Sequence, residues 1–392
     1  MDTLKAGIIG TGGRGVFAFG KGILARQSQI ELCALCDHNS LRLKAAAAEL
    51  GVELPLFTDY RELLAQPHID VVFISTPDCT HEEIAVAAFD AGKHVLCEKP
   101  LATTVTGCDR ILEASRRAGR QLEVGFVLRY APLFGELRRI IADGRIGPLH
   151  LVESGDYYKG GSSYFRRWNR LSAMSGGLLV HKGTHTLDIL NWIIDREPLR
   201  VAAFSGIDRF RPDPDKGERC LTCQNRCDDY FDITQGYAKR MYLDCESEDG
   251  YIFDVCLYNS DKDTHDNATV IIEYAGGARA TYTECFFTAT SSRRFRFVGE
   301  LGEIRADEAT GEIHIDYRYH GEPESIVPSG TEGSHGGGDA GQMDAFLGAI
   351  RTGKPALASG EAGRLSVVVA IAAERSARET RMVEIAEMIG GA

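Results

Sequence analysis

The chain has 392 residues, with 44 Lys and Arg against 56 Asp and Glu, for a formal net charge of −12. Hydrophobic residues make up 44 % and aromatics 8 %, an ordinary globular balance, and the length exceeds what one hydrophobic core usually holds, so two domains are expected. The acidic balance argues against nucleic acid or an anionic membrane surface as partner, since both need clustered positive charge, but it leaves room for a local basic pocket.

The first residues carry an acid, Asp2, and the apolar run after them breaks at Gly10 to Gly15, which does not read as a signal peptide. No stretch approaches the roughly 18–20 apolar residues of a membrane-spanning helix. A cytoplasmic protein is the resulting expectation, with its eleven cysteines reduced. Cys33 and Cys36 sit in an apolar strand-like run and read as packing residues.

Residues 1–125 alternate strand-like and helix-like runs. Leu4 to Ile9 is an apolar run ended by glycines, with a helical stretch to about Arg26. Ile30 to Cys36 is a second strand ending in Asp37, and Ser40 to Leu50 has helical composition. Val71 to Ile74 is a third strand, Glu82 to Ala91 a helix, and His94 to Cys97 another strand. This order predicts a doubly wound parallel sheet with helices on both faces. After residue 125 the rhythm changes. Tyr130 to Asp143 reads as a helix, while Leu149 to Tyr158 and Ala268 to Phe287 alternate as strands. Residues 126–392 are therefore expected to form an α+β domain with a largely antiparallel open sheet and an irregular insertion at about 211–265. Gln342 to Arg351 and Gly363 to Arg378 read as closing helices.

Gly10, Thr11, Gly12, Gly13, Arg14 and Gly15 fit G-x-G-x-x-G directly after the first strand and at the opening of a helix. Gly10 permits the tight turn, Gly12 lets a pyrophosphate approach the backbone, and Gly15 lets helix and strand pack. The helix start offers free N–H groups to phosphate. Asp37, 22 residues after Gly15, can accept from both ribose hydroxyls and would repel a 2′-phosphate, which favours NAD over NADP. Arg14 is placed to stack on adenine, touch a phosphate or point to solvent.

Thr76 and Pro77 follow the third strand with His81 just beyond, and Glu98, Lys99 and Pro100 follow the strand His94 to Cys97. Ligands in such folds lie beyond the carboxyl ends of the strands. A lysine buried there can have its pKa lowered and exchange a proton with a substrate hydroxyl. A helix through His181, Lys182, His185 and Asp188 would put His181, His185 and Asp188 on one face.

These motifs resemble the glucose–fructose oxidoreductase / inositol dehydrogenase (Gfo/Idh/MocA) family. The residues carrying the resemblance are Gly10 to Gly12, Thr76-Pro77, Glu98-Lys99-Pro100, Arg129-Tyr130 and Gly183 to Asp188, in the family's order and spacing. The resemblance implies a Rossmann domain, a C-terminal domain used for substrate and for homodimer or homotetramer contacts, and NAD(P)-dependent hydride transfer on sugars or polyols. It assigns Lys99 to proton transfer, His185 to the reacting hydroxyl and Glu98 to orienting Lys99 or the nicotinamide amide. Thr76, Pro77 and His81 fall to the cofactor site; Arg129, Tyr130 and Asp188 fall to the substrate.

One departure stands out. Many members carry Asp four residues before the matched histidine, where this chain has His181 followed by Lys182. That pair adds a titratable group and a cation, which points to glycosides or sugar derivatives, with Arg167 and Trp168 completing a pocket in which Trp168 stacks on a sugar face. The bland alternative makes Trp168 core. His181 and His185 also have helical metal-ligand spacing, but no Glu follows His181 as a zinc hydrolase would need. Two competing functions remain open at this stage. One is redox-neutral glycoside cleavage through transient oxidation and elimination; the other is a non-catalytic nucleotide sensor, against which Glu98, Lys99 and His185 argue.

In the insertion, Cys220, Cys223 and Cys227 form C-x2-C-x3-C, with Cys245 and Cys256 downstream. Three clustered thiols suggest a structural Zn²⁺ with Cys256 as fourth ligand and Cys245 as second choice. Unligated thiols are the alternative.

Overall fold

The structure is a computed structural model that describes residues 3–389. Its first sheet contains β1 (Leu4–Ile9), β2 (Ile30–Cys36), β3 (Leu56–Phe57), β4 (Val71–Ile74), β5 (His94–Cys97) and β6 (Leu122–Val124). They lie in the order β3-β2-β1-β4-β5-β6 and every neighbouring pair is parallel. Helices cover both faces, so the central strands are continuous apolar runs; all four residues of β4 are buried. The strand order reverses between β1 and β4, which opens a crevice at their carboxyl ends. The helix Ser40–Leu50 starts where Asn39 accepts the Arg42 N–H and ends at Gly51 in the left-handed region, φ 67°.

The second sheet has nine strands: β7 (Leu149–Tyr157), β8 (Pro198–Gly206), β9 (Asn267–Tyr274), β10 (Arg279–Cys285), β11 (Ser292–Gly299), β12 (Gly302–Asp307), β13 (Glu312–Tyr317), β14 (Glu324–Ile326) and β15 (Val383–Glu384). Their order is β14-β13-β12-β11-β7-β10-β9-β8-β15, with β7 and β10 parallel and the other neighbours antiparallel. Alternating burial along β9 and β10 puts Val270, Ile272, Ala280 and Tyr282 in the core beneath the helices Thr184–Ile194 and Gly360–Glu379. The other face is open and exposes Phe204 and Ile271.

The packing adds two connections that alternation of elements does not reveal. The helix Gly338–Thr352 returns to the first sheet, burying Met343, Phe346 and Leu347 against Ile8 and Phe73. The insertion consists of loops and short helices, among them Gly236–Met241 and Glu246–Asp249. It also folds back, with Met241 buried beside Leu43 and Leu50.

Candidate active site

A cavity of about 1210 Å³ runs from the glycine turn after β1 to the carboxyl end of β5 and on to the start of the helix Thr184–Ile194. The turn is shaped by contacts only glycine tolerates. Gly10 has φ 93°, and a Cβ there would lie 2.7 Å from the Ser75 backbone. A Cβ on Gly15 would lie 2.0 Å from the Gly10 carbonyl oxygen. Gly12 and Gly13 face the cavity, and a Cβ on Gly13 would meet nothing within 4 Å. Thr11 ties the turn to β2: its N–H and its hydroxyl each donate to Asp37 Oδ2 at 2.9 Å. Asp37 Oδ1 accepts from the Asn39 N–H and from Arg42, both at 3.1 Å. Thr76 and Pro77 form the wall opposite.

Arg14 lines the cavity. Its guanidinium bridges Glu98 and Asp339, each at 2.7 Å. Asp339 does not cap its helix; it also pairs with His335 at 2.9 Å. The glycine turn, the carboxyl end of β5 and the returning helix are thus held by one half-buried ion network.

Lys99 lines the cavity just past the carboxyl end of β5. Its Nζ donates to the backbone oxygen of His181 at 2.6 Å. Burial lowers its pKa, assisted by Arg14 and Arg167 and opposed by Asp78 and Glu98. His181 does not face open cavity on every side. Its Nδ1 lies 2.6 Å from Asp78 Oδ2 and its Nε2 lies 3.1 Å from Asn169 Nδ2. Burial pushes Asp78 up and His181 down, with Lys99 adding to the His181 shift, so both partners favour uncharged forms. His185 is 7 % exposed and lines the cavity, and its Nδ1 is buried with no hydrogen-bond partner. Burial first, then Lys99 and Lys182, keeps this imidazole neutral. Lys182 Nζ sits 4.5 Å over the Tyr158 ring, and burial next to Arg293 lowers its pKa to about 7.

Several expected residues lie elsewhere. Arg129 and Asp188 form a bidentate buried pair, 2.8 Å at both contacts, and Arg129 also donates to the Leu357 carbonyl. Tyr130 accepts from the Ala358 N–H. None of these three is on the cavity wall. The helix Thr184–Ile194 is buried on nearly all sides, so its polar residues find partners in different directions instead of forming one stripe. His81 is fully buried between the Pro100 and Thr76 carbonyls at 2.8 and 3.1 Å, bracing two loops from behind the wall. Arg167 and Trp168 do line the cavity, and Trp168 stands edge-on to His181. Arg166 instead donates to Cys220 Sγ at 2.9 Å.

The expected zinc site is not assembled. Among the described residues no group of three or more His, Cys, Asp or Glu side chains is arranged to hold a metal ion. Cys220 is engaged by Arg166, Cys223 by the Asn225 carbonyl, and Cys227 and Cys256 pack with Phe165 and Phe210. The insertion is held by apolar contacts and charged pairs such as Arg219 with Asp254, 2.6 Å, and Glu246, 2.7 Å.

Residues 4–126 match the oxidoreductase family's NAD-binding Rossmann fold and residues 138–385 match its C-terminal alpha/beta domain. The chain belongs to the Gfo/Idh/MocA oxidoreductase family. One relative is YteT of Bacillus subtilis (strain 168), 29 % identical with 97 % of each chain covered. An inositol 2-dehydrogenase of Klebsiella pneumoniae is 35 % identical over 49 % of this chain and 55 % of its own length. Among solved structures, a levoglucosan dehydrogenase in complex with NADH and levoglucosan superposes with a TM-score of 0.79 at 20 % identity, covering 98 % of this chain and 100 % of its own. It is evidence for the fold alone.

Within this Gfo/Idh/MocA chain the residues fit a dinucleotide: two glycines whose Cβ would collide with backbone, a turn open to the cavity, and Asp37 on its wall. Sequence reasoning missed Asp78, Asn169, Tyr164, Tyr242 and Tyr251, which all line the cavity. Asp78 stands next to Pro77 and was within reach of the motif; the tyrosines enter from distant loops with no local signature.

Proposed function

We propose that the chain is an NAD-dependent dehydrogenase of a sugar, polyol or glycoside. The observation that carries this reading is the meeting of Lys99, with its lowered pKa, and the unpartnered His185 at one cavity that begins at the glycine turn. Bound there, the dinucleotide supplies a hydride acceptor at its nicotinamide. Lys99 takes the proton of the substrate hydroxyl, and the resulting ammonium is held by the His181 carbonyl with Asp78 and Glu98 nearby. His185 lines the same cavity and presents Nε2 to the reacting oxygen, while Nδ1 stays buried. Trp168 supplies an apolar face for a sugar ring and Arg167 a donor at the rim. The name inositol 2-dehydrogenase borne by a related protein supports a polyhydroxylated substrate.

Eleven thiols with no disulfide among them suit a reducing cytoplasm. Assembly as a homodimer or homotetramer through the open face of the second sheet, where Phe204 and Ile271 stand exposed, belongs to the same reading.

Incubation with NAD and a panel of sugars, polyols and glycosides should produce NADH absorbance. Lys99→Met should lower turnover by about 10²- to 10⁴-fold with NADH binding largely kept; full activity in that variant would remove Lys99 from its role. Lys182 favours a second reading. It is an additional buried amine with a pKa of about 7 on the same cavity, suited to acid–base work on a carbon beside a transient ketone. Release of an aglycone without net NADH would identify that redox-neutral cleavage.

A further inference from the structure

The subsite that separates NAD from its 2′-phosphorylated form lies past the carboxyl end of β2, beside Asp37. A phosphate is received at such a place by the first N–H groups of a helix and by a basic side chain. This chain has both, in the helix Ser40–Leu50 and in Arg42. Both are already engaged, by two consecutive acids of the insertion. Glu248 Oε1 accepts from the Ser40 N–H at 2.7 Å, and Oε2 accepts from the Leu41 N–H at 2.9 Å and the Ser40 hydroxyl at 3.0 Å. Asp249 Oδ2 accepts from Arg42 Nη2 at 2.8 Å and lies 3.2 Å from His38 Nε2. The remaining Arg42 contacts are to Asp37 and to the Met241 carbonyl.

The grip is built, not incidental. Asn39 Nδ2 donates to the Cys245 carbonyl at 2.9 Å, Met241 is buried in the core of the first sheet, and Arg42 packs against the Tyr242 and Tyr251 rings. Asp37, His38, Arg42 and Asp249 all line the same cavity as the glycine turn. We propose that Glu248 and Asp249 are cofactor-choice residues. Contributed by the second domain, they fill with carboxylates the donors a 2′-phosphate would need, so NAD is accepted and NADP excluded. A 2′-phosphate placed there would meet Asp37 and Asp249 with Arg42 already shared between them, and the first N–H groups of the helix already taken by Glu248.

The inference rests on the dinucleotide site and not on the identity of the sugar, so its test uses no sugar. Dissociation constants for NADH and NADPH are measured by nicotinamide fluorescence, with 5′-AMP and 2′,5′-ADP as fragment probes. The unmodified chain should favour NADH by about 100-fold. The Glu248→Gln/Asp249→Asn double variant should bind NADPH about tenfold tighter while NADH stays within about threefold, and the fragment pair should shift likewise. Asp249→Asn alone, which keeps the side-chain shape, should show part of the gain and decides the matter if the double variant unfolds early. An unchanged ratio overturns the proposal. So does equal binding of both cofactors by the unmodified chain, or a parallel loss of both in the variants, which would leave the acids as a brace only.

Discussion

Lys182 is an expensive residue to bury. Its nitrogen rests on an aromatic face inside the cavity, and its pKa falls from 10.5 to about 7 because burial and Arg293 both disfavour the charged form. The sign of the linkage follows. Below about pH 7 the folded chain holds the buried charge and bears the full cost. Between about pH 7 and 10.5 the unfolded chain binds a proton the folded chain does not, so stability rises with pH. Lys182→Met should therefore melt above the unmodified protein at pH 6, by on the order of 3–5 kcal/mol, with the gap closing toward pH 10. Thermal melts at four pH values read this directly; a gap that does not change with pH would show that the amine is not buried as a charge. A residue kept at such a cost on the wall of this cavity fits a chemical role better than a packing one. Asp78 makes a related point. Its carboxyl group, from the nucleotide domain, stands 2.6 Å from the His181 imidazole. Spacing along the chain could not show that, because the two residues are 103 positions apart.

At the level of elements, the glycine turn and the strands of the first sheet were legible because each is a local pattern: a short apolar run, a stop, a helix start. The segment Leu179–Gly183 was not. It is a π-helical turn that runs into the helix Thr184–Ile194. Burial on nearly all sides lets His181 and His185 face the cavity while Asp188 pairs with Arg129. A 3.6-residue period places side chains around an axis but does not say which buried partner each one finds. The same elements allow a matched pair of substitutions. Gly15→Ala forces a Cβ to within 2.0 Å of the Gly10 carbonyl, which is backbone and cannot step aside, whereas Gly13→Ala meets nothing within 4 Å. We expect Gly15→Ala to lose more than about 3 kcal/mol of stability and Gly13→Ala to stay within about 0.5 kcal/mol. Denaturant melts decide it, and equal losses would mean the turn can rearrange.

For the whole molecule, the presence of one parallel sheet and one largely antiparallel sheet follows the order of elements, alternating early and strand-rich later. What that order could not show is that the chain crosses back twice. The insertion reaches the β2–helix corner through Met241, Glu248 and Asp249, and the helix Gly338–Thr352 completes the core of the first sheet. Such returns are set by which apolar surface is left uncovered, a property of the folded sheet and not of any window of sequence. They also make the first domain dependent on residues more than two hundred positions away. Met343, Phe346 and Leu347 are all nearly or fully buried against Ile8 and Phe73. At about 1.5–3 kcal/mol each, their loss removes about 5–9 kcal/mol, which is comparable with the entire stability of a typical domain. A fragment ending at residue 126 contains every strand of the Rossmann sheet, yet it should fail to melt cooperatively, bind hydrophobic dye and bind NADH poorly. Supplying the 338–352 helix through a short glycine–serine linker should restore part of both folding and binding. A fragment that melts sharply and binds NADH unaided would show instead that the returning helix only decorates a self-sufficient core.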